Sequence, residues 1–531
     1  MQTKRHIRIL LLTSLCTVLL GSPGTAFGRT LYVDDDAAGA QDGTSWASAF
    51  RYLQDALGVA SAEDEIRVAQ GKYLPDRGGG NTAGDRNATF RVPDGVTIKG
   101  GFAGVGAADP NLRDSALFAT ILTGDLAGND DPNDQSTLSD NSFHVVTAEG
   151  ASSDTVLDGL IIAHGYADDE HGAALYNEGG SLVVRDCTFR DNGAHHGDGG
   201  VYSYKSNLRI EHCRFIHNGA HEGSGALRNC EGSLEVIASE FIENGSGHEA
   251  AAVDNEKGQA VLFGCMFRAN GNDRRGTVWS SGKLSLLYCT FVDNDGCCGV
   301  GALECTDGSA TIAHCLFYRN RADRAGALSI VGGSVSLEQC TFYGNVCTDG
   351  ESGGVYCRPP SPSMDGVIPA ASLHANMCIF WANHGEGPVT DYAAQISGDP
   401  NFVTVEYCCV QGWTPNRGGI GNIGVDPLFV APDAGDFHLQ SQTGHWDGAS
   451  LAWVADDVTS PCIDAGDPNS PLGQEPFPNG GFVNMGVYGA TCEASKSWFG
   501  VEPCPVVNAA DLNGDGRVDA EDYRLATSRR P

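Results

Sequence analysis

Basic residues are scarce in this chain. Its 531 residues include 33 lysines and arginines against 67 aspartates and glutamates, a formal net charge of −34. So acidic a chain does not hold nucleic acid or an anionic membrane by charge, because both need a cationic surface. Long apolar runs are also missing beyond the N-terminus. Ile9–Leu20 follows Lys4, Arg5 and Arg8 and precedes the small residues of Ala26-Phe-Gly28. That pattern reads as a secretory signal over residues 1–28, and the run is too short for a membrane anchor. Cys16 follows Leu15 rather than a small residue, which argues against a lipoprotein. No later segment approaches the roughly 18 apolar residues of a membrane-crossing helix. Cys-x-x-Cys pairs are absent despite 19 cysteines, which argues against a zinc site. Glycine, at 71 residues, is plentiful, as a chain rich in turns requires.

What the chain does have is a repeat reading Cys-x-Phe-x-x-Asn. It runs through Cys187/Phe189/Asn192, Cys213/Phe215/Asn218, Ser239/Phe241/Asn244 and Cys265/Phe267/Asn270. It continues through Cys289/Phe291/Asn294, Cys315/Phe317/Asn320, Cys340/Phe342/Asn345 and Cys378/Phe380/Asn383. The asparagines are separated by 26, 26, 26, 24, 26, 25 and 38 residues. A fixed period of this size means one unit stacked on copies of itself.

Each unit carries apolar pairs spaced by two, which lie on one face of a strand. Cys and Phe form one such pair; Leu182/Val184, Leu208/Ile210 and Leu234/Val236 are examples of another. A third segment of small residues precedes them, as in Gly172-Ala-Ala-Leu175, Ser224-Gly-Ala-Leu227 and Ala325-Gly-Ala-Leu328. Three short strands with their turns leave no room for a helix in about 26 residues, so the expected fold is all-β. It is a parallel β-helix whose inward residues stack into ladders of Cys, Phe and aliphatic side chains. The Asn is expected in a turn, where it tolerates the left-handed conformation and stacks its amide on the next. A leucine-rich repeat or a propeller would need another pattern or a longer period.

The Gly-Gly-Ala-Leu-like segment with Phe-x-x-Asn resembles the polymorphic outer-membrane protein repeats of bacterial surface proteins. The resemblance covers roughly residues 150–385 and implies the right-handed parallel β-helix class shared with pectate lyases. That fold hosts lyases, hydrolases, adhesins and stalks, so it implies no single activity. Segments before it (Leu31-Tyr-Val-Asp-Asp-Asp36, Gly43-Thr-Ser-Trp46, Gly100-Gly-Phe102) look like the opening of large secreted β-helix proteins. Segments after it (Asp426-Pro-Leu-Phe429, Ser460–Gly466, Asn484–Tyr488) resemble their closing section. The expected organisation is signal 1–28, N-terminal cap and irregular coils 29–150, regular coils 151–385, last coils and C-terminal cap 386–495, linker 496–508 and a terminal motif 509–531. Phe50, Leu53, Ala56 and Leu57 share one side of residues 49–57, which reads as the cap helix.

Export favours disulfides, yet the repeat cysteines sit at an inward position that also accepts Ser239, as small buried fillers. The disulfide candidates are those off the ladder: Cys297, Cys298, Cys347, Cys408, Cys409, Cys462, Cys492 and Cys504, with no pairing assigned.

Residues 511–522 carry the clearest chemistry. Asp511, Asn513, Asp515, Asp519 and Asp522 place oxygen donors at loop positions 1, 3, 5, 9 and 12, with Gly516 at 6 and the Arg517 carbonyl at 7. Hard oxygen ligands at this spacing select calcium. Asp at position 12 resembles a type I dockerin repeat, which implies a cohesin-like partner. Dockerins usually carry two such loops, and this sequence departs from that pattern with one, at residues 511–522. The Asp/Asn-rich loop Gly124–Asn141 could also bind calcium or simply be solvated.

On the Gly-Ala-Leu strand the residue after the inward Leu should point outward. Down the coils that column reads Tyr176, Ser203, Arg228, Asp254, Trp279, Glu304 and Ser329. The entering turn adds Glu170, Glu222, His248, Asp273, Asp323 and Glu351, beside His196 and His221. Trp279, Tyr176, Arg228, Asp254, Glu304 and His248 are the residue types a sugar groove uses for stacking and hydrogen bonding. Three readings stay open: a non-catalytic glycan- or surface-binding protein, preferred; a polysaccharide lyase or hydrolase using Arg228, Asp254 and Glu304; and a structural stalk. Against all site readings, outward residues of a solenoid are polar anyway, and Arg228 with Asp254 could be a surface ion pair worth little. The histidines His195, His196, His221 and His248 are a weaker candidate for a metal.

Overall fold

The computed structural model describes residues 28–498, apart from 153, 351, 359–360, 364–365, 369–370 and 386–389. The signal segment through residue 27, Glu351, the linker from 499, Cys504 and the calcium loop lie outside the described residues. The chain forms a right-handed parallel β-helix of about ten coils. The first strand, Thr30–Val33, pairs in parallel with Glu65–Ala69, which pairs with Thr97–Phe102. From there each coil lays its strands on those of the coil before. Along the Gly-Ala-Leu strands the inward register is Leu175, Val201, Leu227, Val253, Val278, Leu303, Leu328, Val355 and Ile396.

The bore is filled by like on like. The Phe rings from Phe189 to Phe380 stack face to face with centroids 4.5–4.9 Å apart. That spacing is set by the roughly 4.8 Å between hydrogen-bonded strands. Each ring is fully buried, a burial that stabilises by about 1.5–3 kcal/mol.

The asparagine amides hydrogen-bond along the stack as expected, but their backbone departs from the expectation. None of them adopts positive φ. The left-handed residue is the one before: Asp191, His217, Glu243, Ala269, Asp293, Arg319, Gly344 and Ala382. A second left-handed residue precedes each Cys, as at Asp186, His212, Tyr288 and His314. The turn is thus made by its neighbour, and the Asn points inward to satisfy it. Asn244 donates from Nδ2 to Asn270 Oδ1 at 3.0 Å and to the Phe215 carbonyl at 2.9 Å. Its Oδ1 accepts from Asn218 N and Nδ2, both at 3.0 Å. All the amide's hydrogen-bonding capacity is used, and Gln395 ends the chain by accepting from Asn383 Nδ2 at 2.7 Å.

The Cys position works the same way, more weakly. Its side chain accepts the backbone N–H of the previous coil's residue, as in Cys378 N to Cys408 Sγ at 3.2 Å and Cys213 N to Ser239 Oγ at 3.0 Å. This explains why serine substitutes there. Cys408 is therefore a ladder member rather than an off-ladder disulfide candidate. Of the described cysteines named as candidates, Cys297, Cys298, Cys347, Cys409 and Cys462 are free thiols.

Two further features go beyond three strands per coil. The residues after each Asn form a two-residue parallel strand, from Gly193–Ala194 to Val346–Cys347. A second buried polar ladder runs through Asn177, Ser203, Asn229, Asn255 and Ser280.

The N-terminal end is plugged by a helix, Leu53–Leu57, whose Leu53, Ala56 and Leu57 are buried in the main core. It is shorter than the amphipathic segment because Phe50 is already bridged to Val33 in extended backbone. At the other end the ladders stop at Val403–Glu406 and Cys409–Val410. The chain then lies along the outer side of the Cys-x-Phe strands, where Phe429, Phe437, Cys462 and Met485 pack on Leu316, Ile379, Tyr318, Tyr343 and Trp381.

Candidate functional site

In register, one outward column reads Tyr176, Tyr202, Arg228, Asp254, Trp279, Glu304, Ser329 and Tyr356. Its second member is Tyr202, not Ser203. Gly199-Gly-Val-Tyr202, like Gly353-Gly-Val-Tyr356, lies one residue out of frame with segments such as Gly172-Ala-Ala-Leu175, so Val201 takes the inward Leu position. Ser203 turns inside, where Asn177 Nδ2 donates to its hydroxyl at 3.0 Å.

The column has two parts. In the first coils aromatic rings face the surface. Tyr176 and Tyr202 stack at 5.8 Å, and Tyr202 lies parallel to Tyr204 at 6.3 Å. His144 and His171 back the first two rings at 5.4 and 4.8 Å. All three tyrosines are half-buried, presenting part of each ring to solvent.

In the later coils the column is covered, contrary to the exposed line expected. Asp254 is 1% exposed, and Trp279 and Glu304 are each 7% exposed. The cause is the preceding turn, whose long side chains fold back over the strand. The Arg275 guanidinium lies 3.9 Å above the Trp279 ring and pairs with Glu249 at 2.9 Å. Arg324 pairs with Glu304 at 3.4 Å. Arg228 reaches Glu256 at 2.6 Å and Asp198 at 3.5 Å. So Arg228 and Asp254 are not an exposed pair but parts of one desolvated network.

That network sets the proton affinities. Burial is the largest influence on Asp254 and pushes it up to about 7, with Arg228 pulling the other way. Its Oδ2 accepts from Ser224 Oγ at 3.0 Å while Oδ1 has no hydrogen-bond partner. Burial likewise raises Glu304 and Glu249, opposed by Arg324 and Arg275. For Arg228 burial opposes the charge, but Asp198, Asp254 and Glu256 outweigh it and hold the guanidinium protonated. An arginine so held is a poor proton acceptor, which weakens Arg228 as a lyase base. Asp254 and Glu304 are separated by the Trp279 strand and neither reaches solvent freely, which weakens them as an acid/base pair.

Above this network is a polar cleft of about 530 Å³, lined by His196, Glu222, Arg228, His248, Arg274, Arg275 and Arg324 among others. His196 pairs with Glu222 at 2.9 Å, which raises the imidazole's proton affinity. His195 stacks on His221 at 5.0 Å, and His221 tilts against His248 at 5.7 Å. These histidines form a stacked rim, not a metal cage. Among the described residues only Asp34, Asp35 and Asp36 bring three ligand atoms within 4.8 Å of one another. A second concavity of about 570 Å³ lies at the last strands, between Val403–Glu406, Trp413 and Arg417. Its ionisable lining residues are Tyr392, Glu406 and Arg417.

Residues 129–265 match a family model described as "Right handed beta helix region". Residues 403–466 match one described as "Disaggregatase related". No curated protein matches the chain. Among solved structures the chain is similar to a protein titled "Rhamnogalacturonan lyase", at 15% identity and a TM-score of 0.38, covering 76% of this chain and 91% of the other. It is also similar to pectate lyase Pel9A, at 10% identity and a TM-score of 0.38, covering 87% of this chain and 97% of the other.

Proposed function

We propose that the protein is an exported β-helix that binds a glycan along the outward face of its Gly-Ala-Leu strands, without cleaving it. The observation that carries the reading is the continuity of Tyr202 and Tyr204 with the arginine- and histidine-lined cleft on one face. From Tyr176 to Glu304 the column makes five inter-coil steps, about 24 Å at strand spacing, enough for several sugar rings. Half-exposed tyrosine rings offer flat apolar faces for sugar stacking, and planar guanidinium groups offer paired donors to hydroxyl or carboxylate oxygens. The protonated state of Arg228 and the burial of Asp254 favour recognition over proton transfer.

The test is binding and product release with a panel of neutral and acidic polysaccharides. Tyr202→Ala should weaken binding about tenfold, corresponding to about 1.4 kcal/mol. Release of oligosaccharides, or the absorbance of unsaturated ends, would sink the non-catalytic reading. Silence on every glycan would favour a stalk.

In the same reading, Asp511, Asn513, Asp515, Arg517, Asp519 and Asp522 hold one calcium ion at the C-terminus. Asp515→Ala should abolish calcium binding in a calorimetric titration while leaving glycan binding intact.

A further inference from the structure

Most described cysteines are buried. Cys297 and Cys298 are the exposed pair, adjacent in sequence, with sulfurs 3.3 Å apart. They sit on the turn that enters the Gly-Ala-Leu strand of Glu304. Their backbone is fixed by the coil before: Cys297 N donates to Asn272 O at 2.8 Å and Cys298 N to Asp273 O at 3.1 Å. Counting from the ladder asparagines, Cys298 occupies the turn position held by Arg274 one coil earlier and Arg324 one coil later. Arg324 reaches across it to donate to the Arg274 carbonyl at 3.1 Å. The dithiol is therefore on the rim of the cleft, held in contact by a rigid scaffold.

We infer that Cys297 and Cys298 form a reversible vicinal disulfide, a redox-sensitive site on the cleft rim. The sulfurs already touch, so closure needs only local adjustment of the turn and no long-range movement. The oxidant is a small-molecule disulfide. One cysteine thiolate attacks it, forming a mixed disulfide and releasing one thiol. The second thiolate then attacks the cysteine sulfur of that mixed disulfide, forming the ring and releasing the second thiol. Two cysteine thiols and one disulfide become one ring disulfide and two small thiols. Neighbouring Cα atoms lie about 3.8 Å apart across a trans peptide, closer than ordinary disulfides span. A ring closed under that constraint is more readily reduced than a structural disulfide, so the site is reversible. The inference does not depend on the glycan reading.

The test uses the full chain, reduced and then exchanged into oxidised glutathione, with alkylation under native conditions and peptide mapping by mass spectrometry. The reduced protein should take two alkyl groups on the peptide carrying Cys297 and Cys298. After glutathione disulfide that peptide should take none, carry no glutathione, and have lost two hydrogens. Mild dithiol should restore both labels. Cys297→Ser should instead trap one glutathione on Cys298, which shows that the partner thiol performs the closure. Two alkyl groups after oxidation, or glutathione retained on both sulfurs, would overturn the inference.

Discussion

The two sides of one strand make opposite use of the same period. Inward, the Gly-Ala-Leu strands repeat Leu or Val at every coil, and the neighbouring strands repeat Phe and Asn. Outward, the residue changes at almost every coil, from Tyr to Arg, Asp, Trp, Glu and Ser. Repetition inside follows from geometry: a side chain satisfied by a copy of itself one strand away is satisfied in every coil. Variation outside means each coil must solve its own pairing, and here the solution is a network of arginines and carboxylates laid over the strand. Stability is therefore carried by the monotonous side, and the local charge pattern by the varied one.

Breaking the monotonous side should cost most. Phe267→Ala removes the ring between Phe241 and Phe291 and should lower unfolding free energy by about 3–5 kcal/mol, measured by denaturant titration. Asn244→Ala leaves Asn218 N and Nδ2 without their acceptor and the Phe215 carbonyl without its donor; about 2–3 kcal/mol should be lost. On the varied side the effects depend on pH. Asp254 has its folded affinity for protons raised from 3.8 to about 7. Its contribution is full below pH 4 and is lost as pH rises through 7, because the buried carboxyl must then ionise. Asp254→Asn should flatten the stability profile between about pH 4 and pH 7, and a profile as steep as that of the parent would show the carboxyl to be ionised already. Arg275→Ala, which uncovers Trp279 and unpairs Glu249, should cost about 1–2 kcal/mol and increase quenching of tryptophan fluorescence by iodide. Smallest of all, Arg214→Ala at the exposed pair with Glu240 should cost less than about 1 kcal/mol.

The β-helix was legible because its signal is repeated: seven copies of Cys-x-Phe-x-x-Asn and one with Ser for Cys average out local irregularity. The stacking of the Asn amides was legible too, but their backbone was not, since a preference for left-handed backbone and a capacity to stack are both properties of the residue. Only the hydrogen-bond geometry separates them. The polar ladder through Asn177, Ser203, Asn229 and Asn255 carried a readable signal, the same 26-residue spacing, hidden beside the louder Leu pattern. Of the site, the column from Arg228 to Ser329 was legible from alternation alone, whereas the Tyr202 register needed to know that Val201 would win the inward position. What covers Asp254 and Trp279 was not legible. It depends on how Glu249, Arg275 and Arg324 turn at a corner, and no periodicity records that.

The C-terminal stretch along the outer face has a consequence for how the molecule is made. Coils paired to their neighbours can be added in order, each contact closing a loop of about one repeat, which favours sequential assembly. The late segment breaks that locality. His314 Nδ1 meets the Val487 carbonyl at 3.3 Å, Val487 N donates to Thr341 Oγ1 at 3.1 Å, and Gln339 Nε2 donates to the Asn484 carbonyl at 3.5 Å. These contacts join residues 145–173 positions apart. The last coils cannot reach their final packing until nearly the whole chain has emerged, and they cannot fray from that end until the strap has let go.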